Sequence, residues 1–313
     1  LIDQVQPLVT IGVASYNNGK YVRETLESIR LQTYPNIEII IVDDCSTDDS
    51  VQVVEQWIAE FPKAKTRFIR HSINRGLCAA CNQFLNNANG AYLCIVGSDD
   101  VFLPDKTKHQ VETLQNAGET YGLVYSDMYI IDAEGKQAIH TQIRSLEPGF
   151  ERIEGNIFEL ELSRNRINTP SVMMRTAIAR EVGGYDENLS FEDWDMWLRI
   201  SKSYKVKFSD FISVKYRVLS NSMWSKRAKS FYESSIKILV KHLGHSAEAD
   251  KVIFREIAEY AQLMYKLYGR EAGKWLRFAF KSQPSPKLAI LSLMVTLGLP
   301  YTIYEKAVHA TKV

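Results

Sequence analysis

The sequence predicts an α/β fold, a mostly parallel doubly wound sheet followed by a C-terminal helical region. Three observations predict it: short apolar, β-favouring runs alternate with helical periodicities over the first hundred residues, acidic clusters stop two of those runs, and strand signals end before Trp224. The first run, Leu8 to Ala14, stops at Ser-Tyr-Asn-Asn-Gly and reads as a buried strand followed by a loop. Val22, Leu26 and Ile29 then recur at helical spacing between Lys20 and Gln32. Ile37 to Val42 is a second strand, halted by Asp43-Asp44-Cys45-Ser46-Thr47-Asp48, and Val51, Val54 and Ile58 give the next helix. Thr66 to Arg70, a helix from Leu77 to Asn87, and Tyr92 to Val96 running into Gly97-Ser98-Asp99-Asp100 repeat the pattern. In such sheets ligands bind beyond the carboxyl ends of the strands, where both acidic clusters fall.

After Pro104 the alternation loosens into shorter strands, Leu123 to Ser126 and Ser171 to Met174, separated by a polar insertion over Ala133 to Phe150. Helical periodicity returns at Asp193 to Ser201, and Phe231 to Leu243, Val252 to Leu267 and Glu271 to Ala279 read as consecutive helices. These shifts place a catalytic domain over 1–222 and a helical region over 223–313. Within the latter, 284–306 is apolar around Leu288 to Tyr304 but interrupted by Gly298 and Pro300. It reads as a packed helix or an interfacial anchor rather than a span of ~20 apolar residues.

The chain has 313 residues, 45% of them hydrophobic, which supports a full core and excludes disordered, fibrous and disulfide-stapled classes. Its 38 basic and 37 acidic residues leave a net charge of +1, so nothing drives general binding to nucleic acid or to an anionic bilayer. No leader pattern is read where the chain opens Leu-Ile-Asp-Gln. The four cysteines, Cys45, Cys78, Cys81 and Cys94, are too few and too clustered for a disulfide framework and fit a reducing, cytoplasmic setting. Cys78-x-x-Cys81 lacks a second pair at zinc spacing and reads as buried packing.

Three acidic clusters carry the chemistry. Asp43-Asp44 are either turn and helix-capping residues, with Asp48 or Ser50 capping the next helix, or two ligands at the sheet's carboxyl edge. Asp99-Asp100 is either a solvated loop or, converging with the first cluster, a site for a hard divalent cation such as Mn²⁺ or Mg²⁺, which bridges to substrate phosphates. Glu192-Asp193-Trp194-Asp195 is either acidic charge at a helix N-terminus or a general base desolvated by Phe191 and Trp194.

Taken together, VTIGVASYNNGKYVRETLESIRLQTYPNIEIIIVDDCSTDDS, NRGLCAACNQFLNNANGAYLCIVGSDDVFLPDK and SVMMRTAIAREVGGYDENLSFEDWDMWLRIS resemble family-two glycosyltransferases, the large inverting family with the type-A nucleotide-sugar fold. The resemblance spans roughly residues 8 to 203, in the family's order and spacing. It implies a nucleotide-sugar donor, with UDP the expected nucleotide, and a glycan or lipid-linked acceptor. By the same resemblance Ala14, Ser15 and Tyr16 frame the base, Asp44 bonds it, and Arg75 lies near its edge or the phosphates. Asp99 holds the ribose, Asp100 the metal, and Asp193 is the catalytic base.

Two positions depart from the family pattern. Gly97 stands where many members carry a further acid, and Leu219 in Tyr216-Arg217-Val218-Leu219 replaces a histidine. No Gln-x-x-Arg-Trp motif is present, so the resemblance implies a non-processive bacterial enzyme adding one sugar per acceptor in cell-surface glycan synthesis. Two rivals remain. A sugar nucleotidyltransferase needs a Gly-rich basic phosphate loop, for which Ser15 to Lys20 is a poor match. A degenerate nucleotide-sugar-binding protein is suggested by Gly97 and Leu219 and opposed by the intact Asp99, Asp100 and Asp193. Lys281 and Lys287 beside the apolar tail suggest peripheral contact with the inner face of the cell membrane. Substrate stereochemistry is assigned to the loops Ala133 to Phe150 and Ser220 to Arg227.

Overall fold

A computed structural model of the chain describes residues 6–139, 152–219 and 229–310. The chain divides into two compact units, 1–161 with 165–222 and 162–164 with 223–313. The expected boundary near residue 222, the Ser220 to Arg227 loop and most of the Ala133 to Phe150 insertion lie outside the described residues.

The first unit is built on β1 (Val9–Ser15), β2 (Ile37–Asp43), β3 (Thr66–Arg70) and β4 (Tyr92–Gly97), linked by α1 (Gly19–Arg30), α2 (Ser50–Glu60) and α3 (Leu77–Asn87). These four strands are parallel, in the spatial order β3-β2-β1-β4. Their apolar runs are what a parallel strand covered on both faces requires. Val9, Ile11 and Val13 of β1 pack with Val22, Leu26 and Ile29 of α1 and with Val54 and Trp57 of α2. Fully burying each such aliphatic side chain is worth about 1.5–3 kcal/mol, and their helical spacing on α1 aims them all at the sheet.

Beyond β4 the sheet becomes mixed. The later elements are β5 (Val101–Phe102), α4 (Lys106–Ala117), β6 (Tyr121–Ile131), β7 (Gln137–Ile139), α5 (Phe158–Leu162), β8 (Val172–Arg175), α6 (Thr176–Glu181), α7 (Asp193–Ser201) and β9 (Lys205–Arg217). β8 enters antiparallel between β4 and β6, β9 runs parallel to β6, and β5 closes the nine-stranded sheet against β9. β9, with 13 residues, escapes the sequence reading. Val206, Phe208, Ile212, Val214 and Tyr216 keep one alternating phase, but the exposed Asp210 interrupts the run where the register against β6 shifts between Ser126 and Met128. A bulge-type irregularity of this kind breaks a long strand into pieces too short to stand out.

The second unit is helical: α8 (Lys229–Val240), α9 (Ala247–Tyr268), α10 (Gly273–Ser282), α11 (Pro286–Leu297) and α12 (Tyr301–Ala310). Ser285 starts α11 by accepting the Leu288 N–H, with Pro286 at the first helical position. Gly298, at φ 72°, ends it in the left-handed conformation, so the apolar tail is two short helices rather than one. Among the described residues no helix is long and apolar enough to cross a membrane. Ile290, Leu293 and Leu297, spaced along one face of α11, are 49%, 60% and 60% exposed.

Candidate active site

The end of β1 gathers the first two acidic loops. Ala14 lies between Val42 of β2 and Gly97 of β4, while its carbonyl accepts the Ser98 N–H at 2.9 Å and the Ser15 carbonyl accepts the Asp44 N–H at 2.9 Å. Asn18 reaches across to Ser98 Oγ at 3.1 Å. Asn17 and Cys45, the two described non-glycine residues with positive φ, sit in the neighbouring loops, where the Asn17 N–H donates to Ser46 Oγ and Asn17 Oδ1 accepts the Thr47 N–H. Holding such residues in the left-handed region costs on the order of 1 kcal/mol each, and strain of that kind clusters at functional sites.

Adjacent acids have divided roles. Asp43 is buried and accepts from the Ser15 hydroxyl and from the Ser46 N–H and hydroxyl, so it organises its own loop. Asp48 accepts the Gly19 and Ser50 N–H groups and fixes the start of α2, the capping role open to it from sequence. Asp44 points instead to the loop after β3. Its Oδ1 accepts from His71 Nδ1 at 2.7 Å and the Arg75 N–H at 2.8 Å, and its Oδ2 accepts the Gly76 N–H at 2.7 Å. Of roughly four acceptor positions on a carboxylate, one remains, on Oδ2. Arg75 thus meets Asp44 through its backbone, and its guanidinium turns to Glu187 at 3.3 Å. Tyr16, just past β1, is 49% exposed.

Asp99 and Asp100 converge over Gly97. A Cβ at position 97 would sit 2.7 Å from Asp99 Oδ1 and 3.5 Å from Asp100 Oδ2, so a side chain there would displace the Asp99 carboxylate. Asp100 is 3% exposed, and its Oδ1 accepts the Arg217 N–H at 2.8 Å, leaving Oδ2 without a protein partner among the described residues. Burial raises the pKa of both carboxyls, and repulsion from Asp99 raises that of Asp100 further. A cation relieves what burial penalises, so the pair fits a hard divalent ion that takes its remaining ligands from phosphate and water. Among the described residues no group of three or more His, Cys, Asp or Glu side chains is placed to hold a metal unaided. Replacing Gly97 by Ala is expected to push Asp99 aside and weaken nucleotide binding about tenfold, a 1.4 kcal/mol effect. Calorimetry on the variant checks this, and wild-type affinity would show that the pair tolerates the displacement.

The third cluster is set by the packing of α7. Trp194 and Trp197 are buried and donate to the carbonyls of Glu161 and Ile167 at 2.8 and 2.9 Å. Asp195 is paired with Arg199, which also donates to the carbonyls of Val182 and Gly184, so this acid belongs to the scaffold. Asp193 and Glu192 differ. Burial pushes Asp193 up to about 6, opposed by a hydrogen bond from Asn165, and burial followed by repulsion from Asp193 pushes Glu192 up to about 7. Glu192 accepts from Thr169 Oγ1 at 2.7 Å. Trp194, at 1% exposure, lies in the core and contributes by desolvating its neighbour rather than by lining a pocket. Asn165, Thr169 and His71 carry no sequence signal that joins them to these acids, because their partners lie 28, 23 and 27 residues away or more and meet them only through the fold.

Tyr216 ties the acidic pairs into one region. Its phenol is held protonated by burial and then by the carboxylates of Asp100, Asp99, Asp193 and Glu192, in that order. One side chain on β9 therefore feels both the Asp99–Asp100 pair and the Glu192–Asp193 pair. The buried Cys78 and Cys81 take no part in this chemistry, since burial pushes the Cys78 thiol up to about 12 and Cys81 well above its usual range.

The chain has known relatives. The family model described as glycosyl transferase family 2 matches residues 10–181. An uncharacterised glycosyltransferase of Rickettsia bellii is 32% identical over 212 residues, covering 67% of this chain and 30% of its own length, so the chain spans less than a third of that relative. The Escherichia coli UDP-Glc:alpha-D-GlcNAc-diphosphoundecaprenol beta-1,3-glucosyltransferase WfaP is 29% identical over 234 residues, 73% of this chain and 84% of that protein. Among solved structures, Staphylococcus aureus TarS 1–349 in complex with UDP-GlcNAc superposes with a TM-score of 0.67 at 18% identity, covering 93% of this chain and 92% of that one, a likeness of fold. With a family model over more than half its length and that family's fold, the chain belongs to glycosyl transferase family 2.

Proposed function

We propose that the chain transfers one sugar, with inversion, from a nucleoside-diphosphate sugar to an acceptor hydroxyl, as a metal-dependent hexosyltransferase-like enzyme of cell-surface glycan synthesis. The observation that carries this reading is the pair of buried dicarboxylate clusters whose charges both act on Tyr216, one with an Asp100 oxygen open to a cation and one raised toward neutrality as a base. UDP is the nucleotide favoured by the UDP-linked donors named for the Escherichia coli relative and bound in the TarS complex. The diphosphoundecaprenol acceptor of the former points to a lipid-linked acceptor.

In this reading Ala14, Ser15 and Tyr16 border the base, and the open position on Asp44 Oδ2 takes one of its N–H groups. Arg75 flanks the base or the phosphates, Asp99 accepts from the ribose hydroxyls, and Asp100 holds Mn²⁺ or Mg²⁺. When bound, the divalent ion neutralises the charge that builds on the leaving diphosphate. The Asp193 carboxylate takes the proton of the acceptor hydroxyl while that oxygen bonds to the anomeric carbon. The bond from that carbon to the diphosphate oxygen breaks on the opposite face, releasing nucleoside diphosphate and inverting the centre.

Calorimetry with UDP, GDP and dTDP, each with and without Mn²⁺, tests the donor site. Metal-enhanced binding of one nucleotide supports the reading, whereas a folded sample that binds none would leave a degenerate protein. The exposed apolar face of α11, with Lys287 at its start, supports peripheral membrane contact of the second unit. Flotation with anionic vesicles is expected to retain the full chain and to lose a version truncated before Pro284. Equal behaviour of the two would remove the anchor.

A further inference from the structure

Arg217 is the last residue of β9, and its guanidinium is 2% exposed. A buried cation is costly unless its donors are met, and here every nitrogen is engaged. Nε donates to the Asp99 carbonyl at 2.8 Å, Nη1 to the carbonyls of Asp132 and Ala133 at 3.2 and 3.3 Å, and Nη2 to Glu24 Oε2 at 2.7 Å. The plane of the group lies over the Tyr21 ring of α1, 4.6 Å from its centroid. The backbone N–H of the same residue donates to Asp100 Oδ1 at 2.8 Å. One residue therefore grips both members of the acidic pair, one through its main chain and the other through its carboxylate, and is itself mounted on α1 and on the turn after β6.

Nothing else in the described structure holds the Asp100 carboxylate by a hydrogen bond. Thr25 Oγ1 donates to the Asp100 carbonyl at 2.7 Å, which fixes the main chain and leaves the side chain to Arg217. A rotation of Asp100 by one rotamer would carry Oδ2 away from its place beside Asp99, and among the described residues no further acid joins the pair to take over the cation.

We propose that Arg217 is a positioning residue for the reaction, aligning the Asp99–Asp100 pair toward the ribose and the cation while touching neither. This rests on the reading of Asp99 as the ribose acceptor and Asp100 as the metal ligand. Lysine cannot replace it, because a single ammonium cannot span acceptors on α1, on the loop after β4 and on the turn after β6 in one planar fork.

The test compares wild type and Arg217→Lys in calorimetry with whichever of UDP, GDP or dTDP the wild type binds, with and without Mn²⁺, after thermal melts show the variant folded. The ratio of the two affinities is the readout. Partners one step behind a metal ligand typically change metal affinity about 10–100-fold. Arg217→Lys is therefore expected to lower the Mn²⁺ enhancement at least about tenfold, while metal-free nucleotide affinity stays within about threefold. Full enhancement in the variant overturns the proposal, and so does an equal loss with and without metal, which marks a merely structural role. A wild type that binds no nucleotide removes the site reading itself and the proposal with it. If Arg217→Lys does not fold, Tyr21→Leu, which removes the ring under the guanidinium, is expected to cost about threefold in the enhancement. Unchanged enhancement there also overturns it.

Discussion

Asp193→Asn is expected to lower kcat about a thousandfold while leaving nucleotide affinity within about threefold, since positioned general bases contribute 10²–10⁴. The change is nearly isosteric, and the side-chain oxygen that accepts the Trp194 N–H at 2.7 Å survives it. What is lost is the capacity to take a proton. The sign of the pH dependence follows from the environment. Burial raises the Asp193 pKa to about 6, so the ionised base form predominates above that value and is lost below it. Wild-type kcat should therefore rise with pH through about 6 and then level, a limb that the Asn variant lacks. Glu192, raised to about 7 by burial and by Asp193 itself, loses the repulsive part when Asp193 becomes neutral, yet its carboxylate is engaged by Thr169 and does not substitute. Steady-state rates across pH 5 to 8 are the measurement, and a variant that keeps a tenth or more of kcat would assign the base elsewhere.

The contrast between Asp193 and its neighbours shows where the sequence is legible and where it is not. The strands β1 to β4 announce themselves as solid apolar runs because parallel strands are buried on both faces, and the acids that end them mark the carboxyl edge. Which acid of a pair does chemistry is not written locally. Asp43 and Asp44 are adjacent and of one type, yet Asp43 is spent on Ser46 while Asp44 faces the loop after β3. Glu192, Asp193 and Asp195 sit in one turn of helix; i,i+4 spacing pairs Asp195 with Arg199 locally, but only the fold buries the other two beside Thr169 and Asn165. Arg217 is further out of reach, since its partners come from residues 24, 99, 100, 132 and 133. Gly97 stands where many family members carry a further acid, and the structure adds that any side chain there would meet the Asp99 carboxylate.

Asp100→Asn should separate function from stability, moving them in opposite directions. The variant keeps an oxygen for the Arg217 N–H and the carbonyl that accepts from Thr25, so the loop after β4 retains its fastenings. Its amide can donate toward Asp99, turning a repulsive contact into a hydrogen bond. Cation binding loses the carboxylate assigned to it, and Mn²⁺-dependent nucleotide affinity is expected to fall about a hundredfold, with kcat/KM following. Stability behaves otherwise. Burial and then repulsion from Asp99 hold the folded-state pKa of Asp100 well above its ordinary value. Such a raised carboxyl favours the folded state below the unfolded pKa of about 3.9, and that contribution is lost as pH rises through the folded value. At pH 7 without metal the wild type bears this penalty and the Asn variant does not, so the variant should melt at the same temperature or higher. Below about pH 4 both side chains are neutral and the difference should vanish. Thermal melts at the two pH values, with and without Mn²⁺ and nucleotide, make the comparison. A variant less stable at neutral pH in the absence of metal would mean that the Asp100 carboxylate serves the scaffold, because the charge would then be stabilising the fold that its burial should oppose.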